Sequence, residues 1–177
     1  MKSIFKLIFI CMLLSAFGAT MSSAVTINVP ADQGTIQGAI NAANPGDIVL
    51  VAPGTYNEHI NIDRDITVAS LHLTTGDPAR IADTFINGGG NGTVVTMSGR
   101  SADCLLTGFT IQNGARGIYV QNGAPILNHL IVKDHNNNNL YGGGIDCANS
   151  NMTLTDALIQ DNAGRDGGGI AIEGNGG

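Results

Sequence analysis

The segment "GGGIDCANSNMTLTDALIQDNAGRDGGGIAIEGNGG", Gly142 to Gly177, contains the phrase GGGI twice, 25 residues apart. Between the copies lies LTDALIQDN, Leu154 to Asn162. That phrase aligns with LTGFTIQNG (Leu106 to Gly114) and with ILNHLIVKDH (Ile126 to His135) upstream. The alignment superposes Ile111, Val132 and Ile159 at spacings of 21 and 27 residues. A second series, Ile118, Ile145 and Ile170, recurs at 27 and 25. Two separate apolar runs therefore share one period, and its variation falls in the turns between them.

A period of this length is the mark of a solenoid, in which each repeat is one circuit of the chain. A circuit of about 24 residues holds three short strands and three turns, and the next circuit stacks about 4.8 Å above it. One circuit alone can neither bury its inward residues nor satisfy its backbone; a stack does both. Asp47 to Gly177 has room for about five circuits, a column about 24 Å tall. Gly and Asn at the corners allow tight bends, and Asn at matching corners forms side-chain ladders.

The remaining runs agree. IVLV (Ile48 to Val51), HINI (His59 to Ile62), ITVAS (Ile66 to Ser70), TFING (Thr84 to Gly88), TVVTM (Thr93 to Met97) and GIYV (Gly117 to Val120) are short, β-branched and bounded by turn residues. One segment differs. In TIQGAINAAN, Thr35 to Asn44, the residues Ile36, Ala39, Ile40 and Ala43 make one apolar stripe at helical spacing, and Asn44-Pro45-Gly46 ends it. A helix this short needs an apolar support, and an open sheet edge needs a cover. The expected fold is therefore all-β, a parallel β-helix with a short N-terminal capping helix. No such cover follows Ile170, so the chain reads as the N-terminal part of a longer product.

Lys2 and Lys6, the apolar run Leu7 to Ala19 and the small residues Ser22-Ser23-Ala24 form a secretory signal pattern over residues 1–24. The apolar run is shorter than the roughly 20 residues a membrane span needs. No later stretch is long and apolar enough to span. The expected organisation is a cleaved leader followed by one domain, residues 25–177, secreted or displayed at the cell surface. The net charge is −6, and losing Lys2 and Lys6 makes the mature chain more acidic still. That balance argues against a nucleic-acid partner, which needs clustered cations. Cys104 and Cys147 lie in apolar segments and read as buried free thiols rather than a disulfide.

The segment TIQGAINAANPGDIVLVAPGTYNEHINI, Thr35 to Ile62, resembles the opening of the pectin-lyase-like, right-handed parallel β-helix superfamily. There a capping helix leads into the first strand and a Gly-x-Tyr turn, here Gly54-Thr55-Tyr56. The segment Ile159 to Ile170 is also similar to the polymorphic outer membrane protein repeat, with Ile159 in place of an aromatic and Gly169 in place of alanine. The resemblance implies a right-handed β-helix. It also implies one of two roles: a surface solenoid that binds glycans or other extracellular partners, or a polysaccharide lyase or glycoside hydrolase.

Enzymes of that superfamily work on the outside of one sheet. The repeat alignment places Asn113, Asp134 and Asp161 at one position of three circuits. Carboxylates stacked about 5 Å apart shift one another's pKa or hold Ca²⁺. Asp134 and Asp161, with the nearby Arg165, are the candidate catalytic residues; the same acids also read as solvated strand ends. Neither Asn-Thr-Asp nor Gly-His-Gly occurs, nor Arg-x-Pro-x-x-Arg. The non-catalytic reading is therefore preferred. No cofactor or metal ligand set is evident. His135, in DHNNNN, reads as a solvated corner residue, and His59, His72 and His129 have no partner at ligand spacing. Asn91 and Asn151 head Asn-x-Thr triplets that matter in a eukaryotic secretory path.

Overall fold

The computed structural model describes residues 23–137 and 142–174. The expected leader, residues 1–24, lies outside them except for its last two residues. Strands β1 to β16 and helices α1 to α3 are numbered along the chain, and every strand pairing is parallel.

The first sheet has two limbs. One runs β1 (Thr26–Val29), β2 (Ile48–Val51), β5 (Thr67–Ser70), β8 (Leu105–Thr107). The other runs β3 (Gly54–Tyr56), β6 (Thr84–Asn87), β9 (Thr110–Gln112). Both limbs end on the long strand β11 (Ile126–Lys133), which pairs onward with β14 (Thr153–Gln160). The second sheet is β4 (Ile60–Ile62), β7 (Thr93–Ser98), β10 (Arg116–Gln121), β13 (Ile145–Ala148) and β16 (Ile170–Glu173). A small pair joins β12 (Asn136–Asn137) to β15 (Ala163–Gly164).

The register explains the repeat. Ile118 pairs with Ile145 and Ile145 with Ile170; below them lie Val95 and Ile60. Ile86, Ile111, Val132 and Ile159 form a second column. Val49, Val68, Leu106 and Leu127 form a third, and all four are fully buried. Each buried aliphatic side chain contributes about 1.5–3 kcal/mol. Burial fades in the last layer, where Ile172 is 77% exposed, because β16 has a neighbour on one side only among the described residues.

The helix α1 (Ile36–Ala42) lies against β1, β2 and β4 with Ile36, Ala39 and Ile40 buried. It is shorter than the ten residues expected. Its start is set by Thr35, whose Oγ1 accepts from the Gly38 N–H at 3.0 Å. Glu58 reaches over from beyond β3 and accepts from the Ile36 and Gln37 N–H groups, both at 2.9 Å. Its end precedes Asn44-Pro45, because a residue before proline avoids helical angles.

Several elements lie outside the sequence expectation. Strand β1 precedes the helix and so the repeat. The repeat phrase LTGFTIQNG is divided between β8 and β9 at Gly108, whose φ is +84°. Two short helices, α2 (His72–Thr75) and α3 (Ala79–Asp83), form an insertion against β5, β6, β9 and β11. Neither carries an apolar stripe. Their signals are local: Gly76 ends α2 at φ +66°, and Asp77 Oδ1 accepts from the Ala79 N–H at 2.9 Å, starting α3.

Candidate functional site

The position shared by Asn113, Asp134 and Asp161 is a bend. All three residues have left-handed φ, +54°, +58° and +52°, and all are exposed. Asn and Asp tolerate that conformation better than other side chains, which accounts for the residue types at this corner. Asn113 Nδ2 donates to Asn87 Oδ1 at 2.9 Å, and Asn87 Nδ2 donates to Asn57 Oδ1 at 2.6 Å, forming the expected corner ladder. One layer higher, Asp134 pairs with Lys133 Nζ at 3.1 Å. Arg165 Nε donates to Asp166 Oδ2 at 2.7 Å on an exposed turn.

The next position turns inward, and here the expectation for His135 is corrected. Its ring is buried, not solvated. Gly114 N–H donates to Nδ1 at 3.0 Å, which makes Nδ1 the acceptor and leaves the proton on Nε2. Nε2 then donates to Ile111 O at 3.1 Å. Burial pushes this imidazole below the usual histidine range. Asn162 repeats the arrangement one layer up: Nδ2 donates to Val132 O at 3.0 Å, and Oδ1 accepts from the His135 N–H at 3.1 Å. Each inward polar side chain thus satisfies backbone groups of the layer below. Residues Asn138 and Asn139 of the same polar run lie outside the described residues.

The glycine before the recurring isoleucine makes room for these side chains. A Cβ on Gly117 would stand 2.8 Å from His135 Nε2, and one on Gly144 would stand 2.9 Å from Asn162 Nδ2. In the layers below, the volumes are exchanged. Val94 fills the same corner, and Gly88 and Gly114 lie opposite, where a Cβ would come within 2.6 and 2.5 Å of Val94 Cγ2.

A third feature joins residues read as isolated. On the outer face of the first sheet the bend positions Gly108, His129 and Asp156 occupy successive layers, all with positive φ. Helix α2 brings His72 against His129, with ring centroids 4.6 Å apart. His129 Nε2 lies 3.9 Å from Asp156 Oδ2. His72 Nδ1 faces Asp77 O at 3.0 Å; a carbonyl only accepts, so Nδ1 carries the proton. These histidines line a groove of about 260 Å³ with Leu73, Leu105, Thr107 and Asn128. Asn128 Oδ1 is buried there without a hydrogen-bond partner. The repeat alignment already sets His129 and Asp156 at one position, 27 residues apart, but no spacing signals His72, which α2 delivers from beside β5.

On the other side of the bend a second groove of about 320 Å³ runs along the outer column Phe85, Thr110, Ile131 and Leu158. Lys133 and Gln160 flank it. On the second sheet, Arg116 Nη1 donates to the buried carboxylate of Asp146, Nε donates to Thr93 Oγ1 at 3.1 Å, and the guanidinium lies 4.0 Å from the Tyr119 ring centre.

Among the described residues, no group of three or more His, Cys, Asp or Glu side chains is placed to hold a metal ion. No helix among them is long and apolar enough to cross a membrane. Cys104 and Cys147 are buried free thiols. Comparison with protein-family models, with curated proteins and with solved structures finds no match.

Proposed function

We propose that this chain is an extracellular right-handed parallel β-helix, of the pectin-lyase-like kind, whose first sheet binds an extended glycan on its outer face without cleaving it. The stacked parallel circuits and the leader pattern support the fold and the location. The observation that carries the function is the groove along Phe85, Ile131 and Leu158 with Lys133 and Gln160 beside it. Sugar rings offer C–H faces that pack on apolar and aromatic surface, and hydroxyl edges that bond to amide and ammonium groups. The test is binding of the mature protein to a panel of plant, algal and bacterial polysaccharides. Binding weakened by Phe85→Ala and by Lys133→Ala supports the reading; no binding to any member sinks it.

A second reading, a polysaccharide lyase or glycoside hydrolase, has one observation in its favour. His129 and Asp156 stand side by side, next to His72 in a groove. Incubation with polygalacturonate and alginate, with and without Ca²⁺, decides between the two. Unsaturated-sugar absorbance or new reducing ends, lost in His129→Ala, would replace the non-catalytic reading.

A further inference from the structure

Four Asn-Gly pairs fall among the described residues: Asn87-Gly88, Asn91-Gly92, Asn113-Gly114 and Asn122-Gly123. In such a pair the glycine nitrogen can attack the asparagine's own side-chain carbonyl, because glycine has no Cβ to hinder the approach. The attacking nitrogen must be free of other bonds. By sequence the four pairs are equivalent; the tertiary structure separates them.

Three of the glycine N–H groups are held. Gly88 donates to Gln112 O at 2.9 Å. Gly114 donates to the buried His135 Nδ1 at 3.0 Å. Gly123 donates to Ser150 Oγ at 3.2 Å. The carboxamides of Asn87 and Asn113 are also tied into the corner ladder. Asn91 and Gly92 are different. Both are exposed. Among the described residues, neither the Gly92 N–H nor the Asn91 carboxamide has a hydrogen-bond partner. His59 holds this turn from beneath, but its ring nitrogens face the Gly88 and Thr93 carbonyls, each at 3.0 Å, and leave the Gly92 nitrogen untouched.

We propose that Asn91 is a self-modification site, deamidating through a cyclic imide. The Gly92 nitrogen gives its proton to hydroxide and bonds to Asn91 Cγ. The Cγ–Nδ2 bond breaks, and Nδ2 leaves as ammonia with a proton from water. Water then adds to either imide carbonyl and opens the ring, giving an aspartyl or an isoaspartyl linkage. Nothing is oxidised or reduced, and water and hydroxide are the only co-reactants. The product places a new negative charge on the turn above His59, immediately before β7. In a eukaryotic secretory path the same residue heads the Asn91-Gly92-Thr93 triplet, so glycosylation and deamidation there exclude each other.

The experiment uses mature protein from a bacterial host, where the triplet stays unglycosylated. The folded protein is held at alkaline pH, and conversion at each Asn-Gly pair is followed by peptide mass mapping and by isoaspartyl methylation. Asn91 is expected to convert about tenfold faster than Asn87, Asn113 and Asn122, the ratio that opening one native hydrogen bond implies. In urea the four rates should converge, since the protection is tertiary. Asn91→Gln should remove the fast phase. Equal rates in the folded protein, or a faster rate at any of the other three, would overturn the proposal.

Discussion

Gly117 and His135 share one corner of the stack: the imidazole occupies the space that a side chain on the glycine would need. A Cβ there would also stand 2.4 Å from Gly144 O in the next layer. Backbone on one side and a hydrogen-bonded ring on the other leave no route of relief. Gly117→Ala should therefore destabilise the protein by about 1–3 kcal/mol, the usual cost of overpacking. The urea midpoint reports it. A smaller loss is expected for Gly169→Ala, where the nearest atom is Ile159 Cγ2 at 3.7 Å, ordinary contact.

His135 should give stability a dependence on pH near neutrality. In the unfolded chain its ring titrates near 6.5, while burial lowers the folded value. Between the two values the unfolded chain binds the extra proton, so stability is complete above about pH 6.5 and falls as pH drops toward the folded value. His135→Asn copies the chemistry Asn162 uses one layer up. It should keep the fold and flatten this slope, seen by comparing urea midpoints on either side of pH 6.5.

Glu58 anchors α1 through two backbone N–H groups at 2.9 Å. Glu58→Ala removes both acceptors, and about 1–2 kcal/mol should be lost, the range for a helix N-terminal cap. The helix covers β1, β2 and β4, so hydrogen exchange should rise in those strands before the rest. Unchanged exchange there would show that the cap is not coupled to the stack.

Arg116 is the partner of the buried Asp146 carboxylate. Arg116→Met leaves that charge unpaired and should cost about 3–5 kcal/mol. The double variant Arg116→Met with Asp146→Asn should recover part of the loss. Chemical denaturation of the wild type, the two single variants and the double variant isolates the coupling.

Burial pushes the Cys104 thiol up to about 11. It should resist thiol reagents at neutral pH in the native protein and react at the rate of unfolding. Fast labelling of the folded chain would show that the first sheet opens locally around β8.

The sequence by itself determined the stacking columns. Ile118, Ile145 and Ile170, and Ile111, Val132 and Ile159, recur because successive parallel strands hold the same position in register. It also determined the apolar stripe of α1, a consequence of residue type at a fixed local spacing; it pointed to asparagine ladders at the corners, but that Asn57, Asn87 and Asn113 form one was decided by the structure. Only the tertiary structure decided that His135 turns inward, that Gly117 and Gly114 exchange volume with His135 and Val94, and that His72 meets His129 and Asp156. A left-handed bend redirects the side chains around it, and an inserted helix carries its residues to a layer that no period predicts. Contacts of this kind depend on which strands become neighbours and how the corners between them fill, and the chain settles both only when the sheets pack together.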